Sequence, residues 1–195
     1  MDILINEKKQ SVAEGSSLYQ IRDQVKPLAD VLIVNGFPAA DDLPLASGDQ
    51  VVLIRRGEIP AADELDALMR ARHTPGVHEK LGAACVGIAG VGGLGSHAAM
   101  ALARIGVGHL ILVDFDVVEP SNLNRQHFFR PDVGRPKVEA LADHLRAVNP
   151  GIALDLCRDE LTPGAVADVF AAAELLVEAF DRAERKRWLI EAWCC

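Results

Sequence analysis

The chain has little of what would mark a zinc-finger, membrane or nucleic-acid-binding protein. Its four cysteines, Cys85, Cys157, Cys194 and Cys195, form no C-x-x-C pair. Its six histidines show neither H-x-H nor H-x-x-x-H spacing, so no zinc site built from neighbouring residues is expected. No uncharged apolar run approaches the roughly 18 residues that a membrane helix needs. The opening residues, Met1-Asp2-Ile3-Leu4-Ile5-Asn6-Glu7, lack the basic-then-apolar layout of a signal peptide, so the expectation is a cytoplasmic protein with no membrane partner. Positive charge is also scarce. The 20 Lys and Arg against 28 Asp and Glu give a net charge of −8, which argues against nucleic acid as a partner, since phosphate binding needs a concentrated basic face. Internal repeats and low-complexity tracts are missing too. What remains is 195 residues, 50% of them apolar, enough for one large or two small domains with real cores.

Residues 1–58 read as a separate small α+β domain. Ile3-Leu4-Ile5 and Gln10-Ser11-Val12-Ala13 form two expected strands around a polar turn over 6–9. Ser16-Ser17 offers a helix N-cap, and Leu18, Ile21 and Val25 share a helical face. Strands over 31–34 and 49–54 complete the unit, the first of them stopped by Asn35-Gly36. This order, with Ser47-Gly48-Asp49-Gln50-Val51-Val52-Leu53 near its end, resembles the β-grasp sulfur carriers of the ThiS type, relatives of ubiquitin. Such carriers work through a free C-terminal Gly-Gly. Here the chain runs on through Arg55-Arg56-Gly57-Glu58, so a docking or dimerisation element is expected instead. Residues 59–80 read as a linker and helical segment, with helix over 63–72.

Residues 81–195 alternate short apolar runs with helical stretches. Strands are expected from Cys85, over 109–114, over 152–157 and over 175–180. Between them lie helices from His97, from Pro136 as first helical residue, from Thr162-Pro163 and from Ala183. The alternation predicts an α/β fold, a Rossmann-like doubly wound and mainly parallel sheet, with ligands beyond the carboxyl ends of the strands.

After the first of these strands, Gly90, Gly92 and Gly95 carry the G-x-G-x-x-G spacing. Lacking a Cβ, they let backbone approach a phosphate at a helix N-terminus. Taken alone, the pattern fits a plain glycine turn as well as a nucleotide cradle. Asp114, 24 residues after Gly90 at the end of the second strand, stands where dinucleotide folds place the acid that grips ribose hydroxyls. To this point NAD and ATP fit equally. The polar loop from Asp114 to Gln126 then brings Asn122 and Arg125 to the ligand end of the sheet. Lys137 falls in the first turn of a helix, where a cation opposes the helix dipole and needs a compensating anion. A triphosphate would supply one, which favours ATP.

Five elements, Gly90-x-Gly92-Gly93-Leu94-Gly95-Ser96, Asp114-Phe115-Asp116, Ser121-Asn122-Leu123-Asn124-Arg125-Gln126, Gly134-x-Pro136-Lys137 and the acid Asp181, together resemble the ThiF/MoeB-type, ubiquitin-activating-like adenylyltransferases. The match in order and spacing runs over residues 81 to about 193. The resemblance implies ATP-dependent adenylation of the C-terminal glycine of a ThiS-like sulfur carrier, with release of pyrophosphate, in thiamine or related sulfur-transfer biosynthesis. It implies that Gly93 lies against the nucleotide, Asp114 holds the ribose, and Asn122, Arg125 and Lys137 face the phosphates. Asp181 would hold Mg²⁺. Gly90, Gly92, Gly95, Asp116 and Ser121 fall in the same binding elements, and Arg125, Lys137 and Asp181 would carry the catalysis. ATP and Mg²⁺ are the implied cofactors, and a homodimer the implied assembly.

The chemistry agrees with those roles. The nucleophile is a carboxylate already ionised at pH 7, so no general base is needed, and the difficulty is an anion attacking a polyanion. There are departures. Asp181-Arg182 stands where relatives commonly have Asp-Asn, and the zinc-binding C-x-x-C pairs of many relatives are absent. The further strands of the family lie beyond Cys195, so a short or impaired form is expected, and no catalytic role passes to Cys194 or Cys195. Arg70 and Arg72 are candidates for the arginine that relatives contribute from before the glycine loop, while Arg182, Arg185, Lys186 and Arg187 read as a solvated helix face. Two alternatives stand beside the adenylyltransferase: a non-catalytic nucleotide- and carrier-binding module, and an NAD-linked Rossmann oxidoreductase.

Overall fold

In the computed structural model of the chain, Asn6 and Glu7 both take positive φ, 45° and 63°, and this two-residue turn folds β1 (Asp2–Ile5) onto β2 (Lys8–Ser11). A turn this short matches the twist of paired strands. It starts the second strand two residues earlier than the polarity of the segment suggests. The structure describes residues 1–60, 65, 68 and 77–194, and the chain divides into two units, Met1–His78 and Glu79–Cys195.

In the first unit, Ser17 caps α1 (Leu18–Val25) through a reciprocal pair: its hydroxyl accepts the Gln20 N–H, and the Gln20 side chain accepts the Ser17 N–H at 2.9 Å. β3 (Val31–Val34), β4 (Phe37–Pro38) and β5 (Gln50–Ile54) follow, the two-residue β4 being a strand that the sequence patterning does not announce. The sheet runs β2-β1-β5-β3-β4, with β1 and β5 parallel and the other pairs antiparallel. Leu18 and Ile21 of α1 bury against Ile3, Ile5, Val51 and Leu53. This mixed sheet crossed by one helix is the β-grasp arrangement. The helix expected over 63–72, and with it Arg70 and Arg72, lies outside the described residues apart from Leu65 and Leu68. Leu68 packs beside Ile33 and Val52 on the other face of the sheet.

The second unit strings α2 (Val77–Ala83), β6 (Cys85–Ala89), α3 (Gly93–Arg104), β7 (His109–Val113), α4 (Lys137–Val148), β8 (Ala153–Cys157), α5 (Val166–Val169), β9 (Leu175–Glu178) and α6 (Ala183–Cys194). All pairings in the sheet are parallel, in the order β8-β7-β6-β9. Alternate residues feed opposite faces. Ile88, Leu110 and Leu112 pack with Ala99 of α3 and with Leu141 and Leu145 of α4. Ala89, Ile111 and Val113 face Phe170 and Leu189 on the α5–α6 side. Helices on both faces make the sheet doubly wound. Strand order reverses between β6 and β9, and ligands in such sheets settle at that reversal.

Some boundaries differ from expectation. Pro136 is the N-cap rather than the first residue of α4, and its carbonyl accepts the Ala140 N–H at 3.0 Å. Thr162-Pro163 leads into a three-residue 3₁₀ turn before the single turn of α5. Cys85 is buried in β6 as a small core residue, Cys157 is only half-buried, Cys194 is exposed, and Cys195 lies outside the described residues. No described helix is long and apolar enough to cross a membrane.

The join between β6 and α3 is backbone against backbone. Gly90 takes φ 92°, and a Cβ on Gly95 would overlap the Gly90 carbonyl oxygen. Backbone cannot swing aside as a side chain can. Gly95→Ala is therefore expected to cost about 2 kcal/mol or more through overpacking, read as a lower urea midpoint at unchanged slope.

Candidate functional site

Loops leaving the carboxyl ends of β6, β7, β8 and β9 enclose a pocket of about 490 Å³. Its floor is the glycine turn and the start of α3, whose first amides have no intrahelical acceptor and present the positive end of the helix dipole. A Cβ built on Gly93 would meet only the Arg125 carbonyl, at 3.7 Å, so packing does not demand glycine there. Its bareness serves the open side.

Asp114 joins the turn to the loop after β7. Its Oδ2 accepts the Val91 N–H at 2.8 Å, and its Oδ1 accepts the Asp116 N–H at 2.9 Å. Burial pushes this carboxyl above its ordinary range, against the opposing pull of those two amides and of Lys137.

The loop itself is held by a buried Asn122, whose side-chain oxygen accepts the Glu119 N–H at 3.0 Å and whose carbonyl accepts the Arg125 and Gln126 amides. Arg125 donates to the Ser121 carbonyl at 2.8 Å and to the Asn124 side chain at 3.1 Å. Among the described residues it has no carboxylate partner. The Gln126 side-chain oxygen is buried without a hydrogen-bond partner at the edge of the same pocket.

Lys137 corrects an inference drawn from sequence. Its anion is already present, because Nζ lies 2.8 Å from Asp116 Oδ2. The need of a first-turn cation for a counter-charge therefore does not by itself call for a triphosphate.

Gly90, Gly92, Gly93, Asp114 and Asp116 reach the pocket wall together with Asn122, Arg125, Lys137 and Asp181. Two expected residues do not. Gly95 is spent on packing against Gly90, and the Ser121 hydroxyl turns to Glu119, 3.2 Å away. Asp181 is exposed and has no ion pair among the described residues. The lining also takes in residues not named as site candidates, among them Phe115, Glu119, Gln126, Asp159, Arg182 and Arg185. Arg185 is not on a purely solvated face; it pairs with Glu160 and stands 5.6 Å from the Phe115 ring centroid. The signal was there, since Arg182 and Arg185 follow Asp181 by one and four residues at the start of a helix. Lys186 and Arg187 pair instead with Glu178 and Glu191.

The ThiF family model matches residues 66–195, and the ThiS-like ubiquitin model matches residues 1–57. The tRNA threonylcarbamoyladenosine dehydratase of Escherichia coli is 39% identical over 109 residues, covering 55% of this chain and 40% of that protein. The sulfur carrier protein ThiS adenylyltransferase of Escherichia coli is 42% identical over 95 residues, covering 48% of this chain and 38% of that protein. The crystal structure of the dehydratase in complex with ATP aligns with a TM-score of 0.62 at 32% identity, over 67% of this chain and 54% of that one. The chain thus spans well under half the length of these two curated relatives.

The raised Asp114 carboxyl has a testable sign. Between the ordinary value of 3.8 and its own higher value, the folded state holds a proton that the unfolded state has released. Stability of the wild type relative to Asp114→Asn should fall as pH rises through that window and level off above it, as read by urea unfolding at a series of pH values.

Proposed function

The chain belongs to the ThiF family, and we propose that it contributes the nucleotide site of an ATP-dependent adenylyltransferase that activates the C-terminal glycine carboxylate of a ThiS-like sulfur carrier. The observation that carries this reading is Arg125: a guanidinium on the pocket wall, bonded only to neutral oxygens, beside the N-terminus of α3 and Lys137. It is a cation with no charge of its own to answer. The fold would suit a dinucleotide equally well, so this set of cations is what favours a triphosphate.

In the reaction, a carboxylate oxygen of the carrier attacks the α-phosphorus, the bond to the β-phosphate oxygen breaks, and pyrophosphate leaves with its electron pair. No proton moves. Gly93 and the amides of α3 lie along the phosphates, Asp114 takes the ribose hydroxyls, and Asn122, Arg125 and Lys137 offset repulsion between the two anions. No group of three or more His, Cys, Asp or Glu is gathered for a metal among the described residues. Asp181 suits Mg²⁺ all the same, because that ion is commonly held by one or two carboxylates plus substrate phosphates, where it neutralises charge on the leaving group. We assign the ThiS-like domain to docking, the assembly to a homodimer, and the pathway to thiamine or related sulfur transfer.

Similarity to a tRNA-modifying dehydratase raises a second reading, a tRNA nucleoside as acceptor. The net charge of −8 weighs against it, since a tRNA backbone needs a basic face.

ATP–pyrophosphate exchange tests the acceptor: it should rise with a ThiS-like carrier and stay flat with tRNA, and the reverse would favour the second reading. For the site, Lys137→Ala should weaken ATP binding by about 10- to 100-fold, the usual worth of a hydrogen bond to a charged group. Gly93→Ala should melt near wild type yet lose affinity about 10-fold, as calorimetric titration can read, if a ligand backs onto that glycine.

A further inference from the structure

We propose that Asp116 is a displaceable counter-ion for Lys137, a positioning residue that holds the ammonium at the pocket wall and sets how strongly phosphate binds there. The inference rests on the adenylyltransferase reading above and adds a residue that works against the ligand.

Lys137 is a costly place for a cation. It is 6% exposed, and it sits in the first turn of α4, where the helix dipole disfavours positive charge. Asp116 meets that cost directly, with Oδ2 2.8 Å from Nζ. The backbone that carries this carboxylate is fixed from both sides. The Asp116 N–H donates to Asp114 Oδ1 at 2.9 Å, and the Asp116 carbonyl accepts the Lys137 N–H at 3.0 Å. The pairing is thus built into the backbone rather than formed by two long side chains meeting on a surface, where such contacts contribute little.

The two partners differ in exposure. The Asp116 side chain is 49% exposed and faces the pocket, whereas the lysine stem is buried. A phosphate reaching Nζ therefore meets a lysine already bonded to one carboxylate, with two N–H groups left to offer. It also meets the charge of that carboxylate at close range. Arg125, bonded only to neutral oxygens, imposes no such competition. Asp116 would then keep the pocket from holding any passing anion, and Lys137 would yield fully only to a ligand that other contacts also anchor.

The test is Asp116→Asn in the full chain, which keeps an oxygen for Nζ and removes the charge. Thermal melting and calorimetric titration with MgATP, inorganic tripolyphosphate and adenosine would be compared at low and high salt. Without ligand the variant should melt lower, since Lys137 loses its counter-charge. Its affinity for tripolyphosphate and MgATP should rise roughly fivefold at low salt, the scale of one nearby charge in a solvated pocket, with the gain shrinking as salt is added. Adenosine affinity should not change. A mere loosening of the loop would weaken all three ligands together. Equal or weaker tripolyphosphate binding in the variant overturns the inference while leaving the adenylyltransferase reading intact. A wild type that ignores MgATP overturns both. Should Asp116→Asn alone fail to fold, Lys137→Met and Lys137→Met/Asp116→Asn give the same comparison without a buried ammonium; equal affinities in that pair also overturn it.

Discussion

One carboxylate fastens the ligand end of the second unit. Asp114 sits at the tip of β7 and takes one amide from the turn after β6 and another from the loop it begins. Both bonds are charge-assisted, worth about 1.5–3 kcal/mol each, and they oppose the cost of burying the charge. From Asp116 the connection continues, through its carbonyl and its carboxylate, to the backbone and ammonium of Lys137. Three segments far apart in sequence are therefore linked in a chain of contacts: the glycine turn and the loop after β7 through Asp114, and that loop and the first turn of α4 through Asp116. Loss of Asp114 would remove the side-chain link between the glycine turn and the loop. The loop would keep its backbone bonds to the segment before α4, Val118 N–H to the Arg135 carbonyl and Gly134 N–H to the Val118 carbonyl, both at 2.8 Å.

The two halves of the pocket are built by different means. On the β6–β7 side, rigidity comes from backbone: Gly95 against Gly90, amides onto Asp114, and the Asn122 side chain closing its own 3₁₀ turn. Such contacts leave few alternative positions, which is what a phosphate cradle needs to bind without paying for reorganisation. On the β9 side the wall is side chains, with Asp181 and Arg182 both exposed and unpaired among the described residues. That side can adapt to what enters.

The sheet and the glycine turn could be read from sequence because their signals are local. Apolar runs of four to five residues, helical periodicity and the spacing of Gly90, Gly92 and Gly95 do not depend on distant partners. What could not be read is pairing. Asp116 and Lys137 are 21 residues apart, and only the folded loop makes the acid the lysine's counter-ion. The same holds for Arg185, whose partner Glu160 comes from the segment after β8. Local rules failed once more at Glu7: glutamate at φ 63° is not a residue that turn propensities pick, and the hairpin imposes it.

Charge within the pocket is mixed, not simply positive. Asp114, Asp116, Asp159 and Asp181 line it beside Arg125, Lys137, Arg182 and Arg185. A cavity of that composition does not attract polyanions by field alone; it selects by which cations are already answered. Lys137 and Arg185 are answered, by Asp116 and Glu160. Among the described residues, Arg125 and Arg182 are not. In the proposed reaction, where an anion attacks a phosphorus already bearing several, these two guanidinium groups would be the cations available at first contact. On the proposal that Asp116 is displaceable, the lysine would engage later, its charge freed as the ligand displaces that carboxylate. An order of engagement would then follow from which cations carry counter-ions.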